Sequence, residues 1–296
     1  MKTCILAIDA GGTFLKSALI AGGEIIPGTG RKVGVDSDLG TADEVHAAYS
    51  RLIKEEALLA ASLGLTFGKV SVDTPGPFDY KTGTPLMTHK YRAIYGISLI
   101  PWIREAVGDL PITFVHDSAA FITGAFAWRR DIYSAAGVMI GTGLGFALSK
   151  GGRPLLANTG SPLVSIFKAP YRDGIAEDYI SAGGILKRYN AKAPSAAENA
   201  KEIAERAALG DNAALEAYAE TGAMLAEIIA PILSEHGTEA LAVGGQIARS
   251  FDLFGEELRQ GLGSLGVCIP VFPASDIDGV HLLGAARCAD EGLFVY

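Results

Sequence analysis

One local pattern occurs twice in this chain, and a duplicated pattern limits the possible folds more than any single motif can. An apolar run, Cys4 to Ile8, ends at Asp9, passes through Gly11, Gly12 and Thr13, then resumes as an apolar segment closing at Gly22-Gly23. Val138 to Ile140 leads in the same way into Gly141, Thr142 and Gly143, resumes at Leu144 and closes at Gly151-Gly152. Gly12 aligns with Gly141, Thr13 with Thr142 and Leu15 with Leu144, all at one offset. Each copy reads as a strand, a tight turn and a returning strand. Glycines without Cβ let backbone N–H groups turn toward an anion, and an Asp at a strand end can hold a magnesium ion or its water. One copy alone is as readily a plain glycine-rich hairpin. Two in register imply similar halves that each offer a turn to one ligand, as in a nucleotide clamped between two lobes.

At 296 residues the chain exceeds the usual single domain. The expected division is an N-terminal α/β lobe over 1–117, carrying the first turn, and a C-terminal α/β lobe over 118–296, carrying the second. A hydrophobic fraction of 49% is ample for a substantial core. No run approaches the roughly 18 apolar residues of a membrane span, and the pattern of a signal peptide is missing, so a cytoplasmic protein with no membrane partner is expected. A net charge of −8 without a basic cluster argues against nucleic acid as a partner. Cys4, Cys268 and Cys288 are scattered in apolar segments and read as reduced core residues.

Between the turns, strand-like runs alternate with helical periodicity. Ala42 to Ser62 reads as an amphipathic helix with Val45, Tyr49, Leu52 and Ile53 on one face. A short strand at Lys69 to Val72 must stop at Thr74-Pro75-Gly76-Pro77. A strand at Ile112 to Val115 ends at His116-Asp117, and a helix follows from near Ser118 to Trp128. The segment to about Gly174 is irregular and the stretch to His236 helix-rich. Leu241 to Val243 is a strand entering Gly244-Gly245, with a helix from Gln246. The final helix begins near Asp276, and its body, over about 280–292, is expected to pack back on the N-terminal lobe. This alternation defines an α/β protein with ligand sites at strand ends.

With Asp9-Ala10-Gly11-Gly12-Thr13, Pro75-Gly76-Pro77-Phe78-Asp79, His116-Asp117-Ser118-Ala119, Gly141-Thr142-Gly143-Leu144-Gly145 and Leu241-Ala242-Val243-Gly244-Gly245 in this order, the chain resembles the ROK family. That family groups repressors, open-reading-frame proteins and bacterial sugar kinases. The resemblance runs from Ile5 to Gly284-Ala285-Ala286 and implies the duplicated actin-like ATPase (ribonuclease H-like) fold, with ATP between two lobes and a sugar beside it. It puts Asp9, Gly11, Gly12 and Thr13 in the first phosphate loop, Asp9 also meeting Mg2+ through water. Gly141, Thr142 and Gly143 form the second loop, and Gly244 and Gly245 lie against adenosine. Asp117 takes the place of the catalytic base. Gly76, His116, Glu177 and His89, the last in the loop Met87 to Gly96, take the places of sugar contacts. The implied activity is transfer of the ATP γ-phosphate to a sugar or sugar-like acceptor, with ATP and Mg2+ as cofactors; a homodimer is left open.

The physical case for Asp117 stands partly by itself. Phosphoryl transfer to a neutral hydroxyl needs a carboxylate placed to take the proton, and an Asp at a strand end faces the ligand side of an α/β sheet. The competing reading is a helix N-cap, for which Asp is among the best residues. His116 reads either as a substrate contact or as a satisfied buried histidine. Glu177 reads either as a sugar contact or as a solvated glutamate in a first helical turn, where the dipole favours it.

The chain also departs from the family. Asn158 to Ile166 stands where many members carry a glutamate–x–glycine–histidine motif, and no cysteine occurs between Cys4 and Cys268. A structural zinc site of three cysteines and a histidine is therefore not expected. Two sugar contacts go with that motif, so glucose is expected to be a poor acceptor. In the loop Met87 to Gly96, aromatic faces could stack on a sugar and Lys90 or Arg92 could meet an acidic substituent. Besides a kinase, a sugar-responsive repressor and a non-catalytic sugar- or nucleotide-binding regulatory protein stay open, as do phosphoryl donors such as polyphosphate.

Overall fold

A computed structural model describes residues 2–88 and 90–292. Contacts divide the chain into two compact units. The first comprises the described residues of 1–127, 156–162 and 278–296; the second comprises 128–155 and 163–277.

The first unit opens with β1 (Lys2–Ala10), β2 (Phe14–Ala21), β3 (Glu24–Ile25) and β4 (Arg31–Gly34), followed by α1 (Ala42–Ser62) and β5 (Leu65–Thr74). A short pair, β6 (Phe78–Asp79) and β7 (Thr84–Pro85), leads to α2 (Ile100–Val107), β8 (Ile112–His116) and α3 (Asp117–Ala125). The sheet has the order β3-β2-β1-β5-β8, with β4 pairing β2. β2 is antiparallel to β1, while β5 and β8 run parallel to it. Alternation decides the faces. Leu6, Ile8 and Ala10 of β1 join Val70 and Val72 of β5 in a core with Val45, Tyr49, Leu52 and Ile53 of α1. Ala7 of β1 points the other way. α1 starts where a capping box forms: Thr41 Oγ1 accepts from the Glu44 N–H at 3.2 Å, and Glu44 Oε2 accepts from the Thr41 N–H at 2.8 Å. Gly64, at φ +71°, follows its last turn.

The second unit contains β9 (Ser134–Ile140), β10 (Leu144–Lys150), β11 (Arg153–Pro154), β12 (Pro170–Tyr171) and β13 (Gly174–Ile175). Then come α4 (Ala176–Tyr179), α5 (Ala182–Lys192), α6 (Ala200–Ala208), α7 (Asn212–Glu235), β14 (Ala240–Gly244), α8 (Gly255–Ser264) and β15 (Val271–Pro273). Its sheet order is β11-β10-β9-β14-β15. Taken from the turn outward, each unit has a glycine-turn hairpin, a third strand antiparallel to its outer arm, and two parallel strands on the other side. The duplication seen in the turns is thus a duplication of sheet topology.

The last helix, α9 (Val280–Asp290), belongs to the first unit. Leu282 and Ala286 cover Ala7, Ala18 and Ile20 on the second face of the sheet, and Ser71 Oγ donates to the Ala285 carbonyl at 2.6 Å. α9 and α3 touch backbone to backbone: a Cβ on Gly284 would strike the Ala120 carbonyl, and one on Gly124 the Val280 carbonyl.

Several bounds differ from the sequence expectation, among them the end of α3, at Ala125 and not Trp128. β5 is longer than 69–72 because β1, from Lys2 on, supplies ladder partners to Leu65, Thr66 and Phe67 ahead of Gly68. The final helix begins at Val280, not Asp276, because Asp278-Gly279 favours turns over helix. The helix expected from Gln246 is present as a 3-10 helix interrupted at Ser250.

Candidate active site

Three parallel strands of the first unit end side by side, and each ends near a carboxylate. Asp9 on β1 is the register partner of Asp73 on β5, Asp73 in turn that of Val115 on β8, and Asp117 follows at the start of α3. Strand neighbours lie about 4.8 Å apart with paired side chains on one face, so Asp9 and Asp73 point the same way. That face is the one α9 covers, and His281 Nδ1 lies 3.8 Å from Asp73 Oδ1. Lys16, the antiparallel partner of Asp9, places Nζ 3.8 Å from Asp9 Oδ2 and 3.3 Å from Asp278 Oδ1. Burial raises the Asp9 carboxyl above its ordinary value; His281 and Lys16 oppose this, while Asp117 and Asp278 add to it.

The two glycine turns share a backbone device. In the first, the Gly12 carbonyl accepts from the Ser37 N–H at 3.1 Å and from Ser37 Oγ at 2.9 Å. In the second, the equivalent Gly141 carbonyl accepts from the Ala182 N–H at 2.7 Å. In a trans peptide the N–H opposes the C=O, so Thr13 and Thr142 both turn their N–H groups away from these anchors. Gly11 and Gly141 close the turns by donating to Phe14 and Gly143 carbonyls, each at 3.0 Å. Gly244 pairs with Met139 beside the second turn, and Gly245 sits at φ +79° where any Cβ would strike the Ile140 carbonyl.

Asp117 stands at the first position of α3. Its Oδ1 accepts from the Ser118 N–H at 2.6 Å and from Ser118 Oγ at 3.2 Å, with His116 Nδ1 2.8 Å away. Nδ1 also lies 3.1 Å from the Ser118 N–H, but it cannot both accept that hydrogen and approach a carboxylate so closely. Two lone pairs would then face each other; Nδ1 must carry the hydrogen and donate it to Asp117. Burial alone would raise the Asp117 carboxyl, yet the charge and hydrogen bond of His116, the charge of His281 and the Ser118 N–H outweigh it and hold the group far below the usual carboxylate range. All of these contacts fall on Oδ1. The N-cap position expected for Asp117 is filled by His116, and Asp117 is the first residue of the helix. Gly76 adjoins this group: a Cβ there would lie 3.5 Å from the His116 ring.

The first unit thus gathers Asp9, Gly11, Gly12, Thr13, Gly76, His116 and Asp117, and the second gathers Gly141, Thr142, Gly143, Gly244, Gly245 and Glu177. Glu177 Oε2 accepts from the Leu144 N–H at 2.8 Å, which ties it to the second turn. His89 lies outside the described residues. In its loop, Tyr91 is buried and gives its hydroxyl to the Ala10 carbonyl, so its ring is no stacking platform. Arg92 is held by Asp38 through Nε at 2.6 Å and Nη2 at 3.0 Å. Asp73, His281 and Lys16 escaped the sequence reading. Only the strand register, which brings residues 9 and 73 together, exposes them. Among the described residues, no group of three or more His, Cys, Asp and Glu side chains forms a ready metal cage, and no helix is long and apolar enough to cross a membrane.

Fold and turns define a duplicated α/β protein with paired glycine turns at the strand ends. Residues 170–289 match the model of the ROK family. It is 27% identical over 298 residues to a glucokinase of Pyrobaculum calidifontis, covering 96% of this chain and 94% of the relative. Two solved structures share the fold. A ROK family glucokinase from Streptomyces griseus, in complex with glucose and AMPPNP, matches with a TM-score of 0.77 at 21% identity, over 98% of this chain and 100% of that one. A glucokinase from Parabacteroides distasonis matches with a TM-score of 0.80 at 19% identity, over 98% of each chain.

Proposed function

We propose that the chain is an ATP-dependent sugar kinase in which Asp117 is the general base. The observation that carries this reading is the position of Asp117 at the strand ends beside Asp9, with its hydrogen bonds gathered on Oδ1, which leaves Oδ2 for an acceptor hydroxyl. A positioned carboxylate that takes the proton as the oxygen attacks is what phosphoryl transfer asks of the protein, together with donors for the phosphoryl oxygens. Within each unit taken by itself, the N–H turned from its anchor, Thr13 in the first and Thr142 in the second, is a candidate donor to phosphate. Gly76 leaves room beside His116 for an acceptor, and His116 orients Asp117. Magnesium entering with ATP would neutralise phosphoryl charge, and Asp9 would hold it through water. The similarity to a glucokinase over nearly the whole chain supports ATP as donor and a sugar as acceptor.

A coupled ADP-release screen with ATP and magnesium across hexoses, amino sugars and polyols tests the reading. Turnover with at least one acceptor is expected. No ADP release above the background hydrolysis with any acceptor would overturn it, and turnover with polyphosphate but not ATP would change the donor.

A further inference from the structure

Asp73 is the most anomalous side chain in the first unit. It is completely buried, and neither carboxylate oxygen has a hydrogen-bond partner. The Lys16 charge and its own amide oppose the effect of burial, and His281 Nδ1, 3.8 Å away, is itself buried without a hydrogen-bond partner. Buried carboxylates are ordinarily satisfied several times over, because an unpaired one loses its hydration with nothing in return. Glu56, the other fully buried acid, accepts from Ser17 Oγ at 2.6 Å and has Arg31 nearby.

The surroundings add to the deficit. Asp9 shares the face and the register of Asp73, Asp117 lies close enough to influence both, and Lys16 divides its charge between Asp9 and Asp278. The strand-end group therefore carries more acidic than basic side chains. Asp9 is the partly exposed register partner of Asp73, with its side chain 24% exposed.

We propose that Asp73 and Asp9 together form a divalent-cation site of the magnesium type that fills without nucleotide, with His281 facing the water shell of the ion. Magnesium-like ions keep several waters and need only one or two protein carboxylates, so a preformed cage of three ligands is not required. Asp9 supplies the accessible oxygen and Asp73 the desolvated one. The unpartnered Nδ1 of His281 then has a metal-bound water, or Asp73 itself, to meet. As a cation site this stands on the strand register alone; as part of phosphoryl transfer it rests on the kinase reading above.

Manganese is the probe, because its free aquo ion gives a paramagnetic resonance signal that binding removes. Metal-stripped wild-type protein without nucleotide or sugar should bind one Mn2+ per chain, magnesium should compete for the site, and melting temperature should rise on saturation. Asp73→Asn, which keeps shape and loses charge, should weaken Mn2+ binding at least tenfold and lose the thermal shift. Asp9→Asn weakens the same site from its exposed edge and serves if the first variant does not fold. Absence of saturable Mn2+ binding by the wild type at millimolar concentration, or unchanged affinity in either folded variant, would overturn the proposal and make Asp73 a protonated core residue. The two readings fail separately: sugar phosphorylation without a nucleotide-free manganese site removes only this proposal, and a manganese site without kinase activity removes only the function.

Discussion

Asp117 Oδ1 and His116 Nδ1 are 2.8 Å apart, in a contact that keeps the carboxylate ionised and turns its second oxygen free. Asp117→Asn preserves the shape of the side chain but cannot take a proton. Its kcat should fall by about two to four decades, the range of a positioned general base, while acceptor binding measured by calorimetry persists. Because Asp117 stays ionised well below neutrality, the acid limb of the wild-type pH profile between about 5 and 7 should not be its titration. Near-normal turnover of Asp117→Asn would remove it from the mechanism.

Glu177 offers a sharper test, since its two readings move different constants. If its carboxylate holds the Leu144 N–H and thereby the second turn, Glu177→Ala should raise the KM for ATP roughly tenfold, in line with about 1.5 kcal/mol for a charge-assisted hydrogen bond. Glu177→Gln keeps an acceptor oxygen and should stay close to wild type. A sugar contact predicts instead that the acceptor KM rises in both variants while the ATP KM stays put. Steady-state kinetics with each substrate varied separates the two.

What the sequence made legible was local or repeated. The paired turns announced themselves because glycines, a hydroxyl residue and flanking apolar runs recur in order, and α1 was readable to its ends because Thr41 and Glu44 mark its start and apolar spacing its face. Asp73 was invisible for the opposite reason. Within Val70 to Thr74 it looks like a polar residue at the close of a strand, and only parallel pairing with β1 sets it against Asp9 and beneath His281, more than 200 positions away. The loop Met87 to Gly96 hides a similar distinction: Tyr95 is exposed, whereas Tyr91, at φ 57°, turns inward to the Ala10 carbonyl. Long-range pairing decides such residues, and single-sequence patterns do not encode it.

The contact of α3 with α9 predicts that small residues are obligatory there. A Cβ at Gly284 meets the Ala120 carbonyl, which belongs to helix backbone and cannot rotate away. Gly284→Ala should therefore destabilise the protein by about 1–3 kcal/mol or more, despite the better helix propensity of alanine. Gly263, on α8, has open space at its Cβ position, and Gly263→Ala should be neutral or slightly stabilising. Urea midpoints of the two variants decide this, and equal effects would contradict the packing.

A last prediction concerns pH and the buried Glu56. Burial raises its carboxyl above the ordinary value; the Ser17 hydrogen bond and the Arg31 charge only partly offset that, and Oε2 is left without a hydrogen bond. A carboxyl raised in the folded state binds its proton more tightly there than in the unfolded chain, where it titrates near about 4.3. Folding stability from this group is then fully present below the unfolded value and is lost as pH rises through the folded one. Glu56→Gln removes the titration, and its amide oxygen can still accept from Ser17 Oγ. The variant should match wild type near pH 4 and become progressively the more stable of the two toward pH 7. Thermal melts across that range test the sign: a stability difference that shrinks with rising pH would mean that Glu56 is held ionised by Arg31 and is not destabilised by its burial.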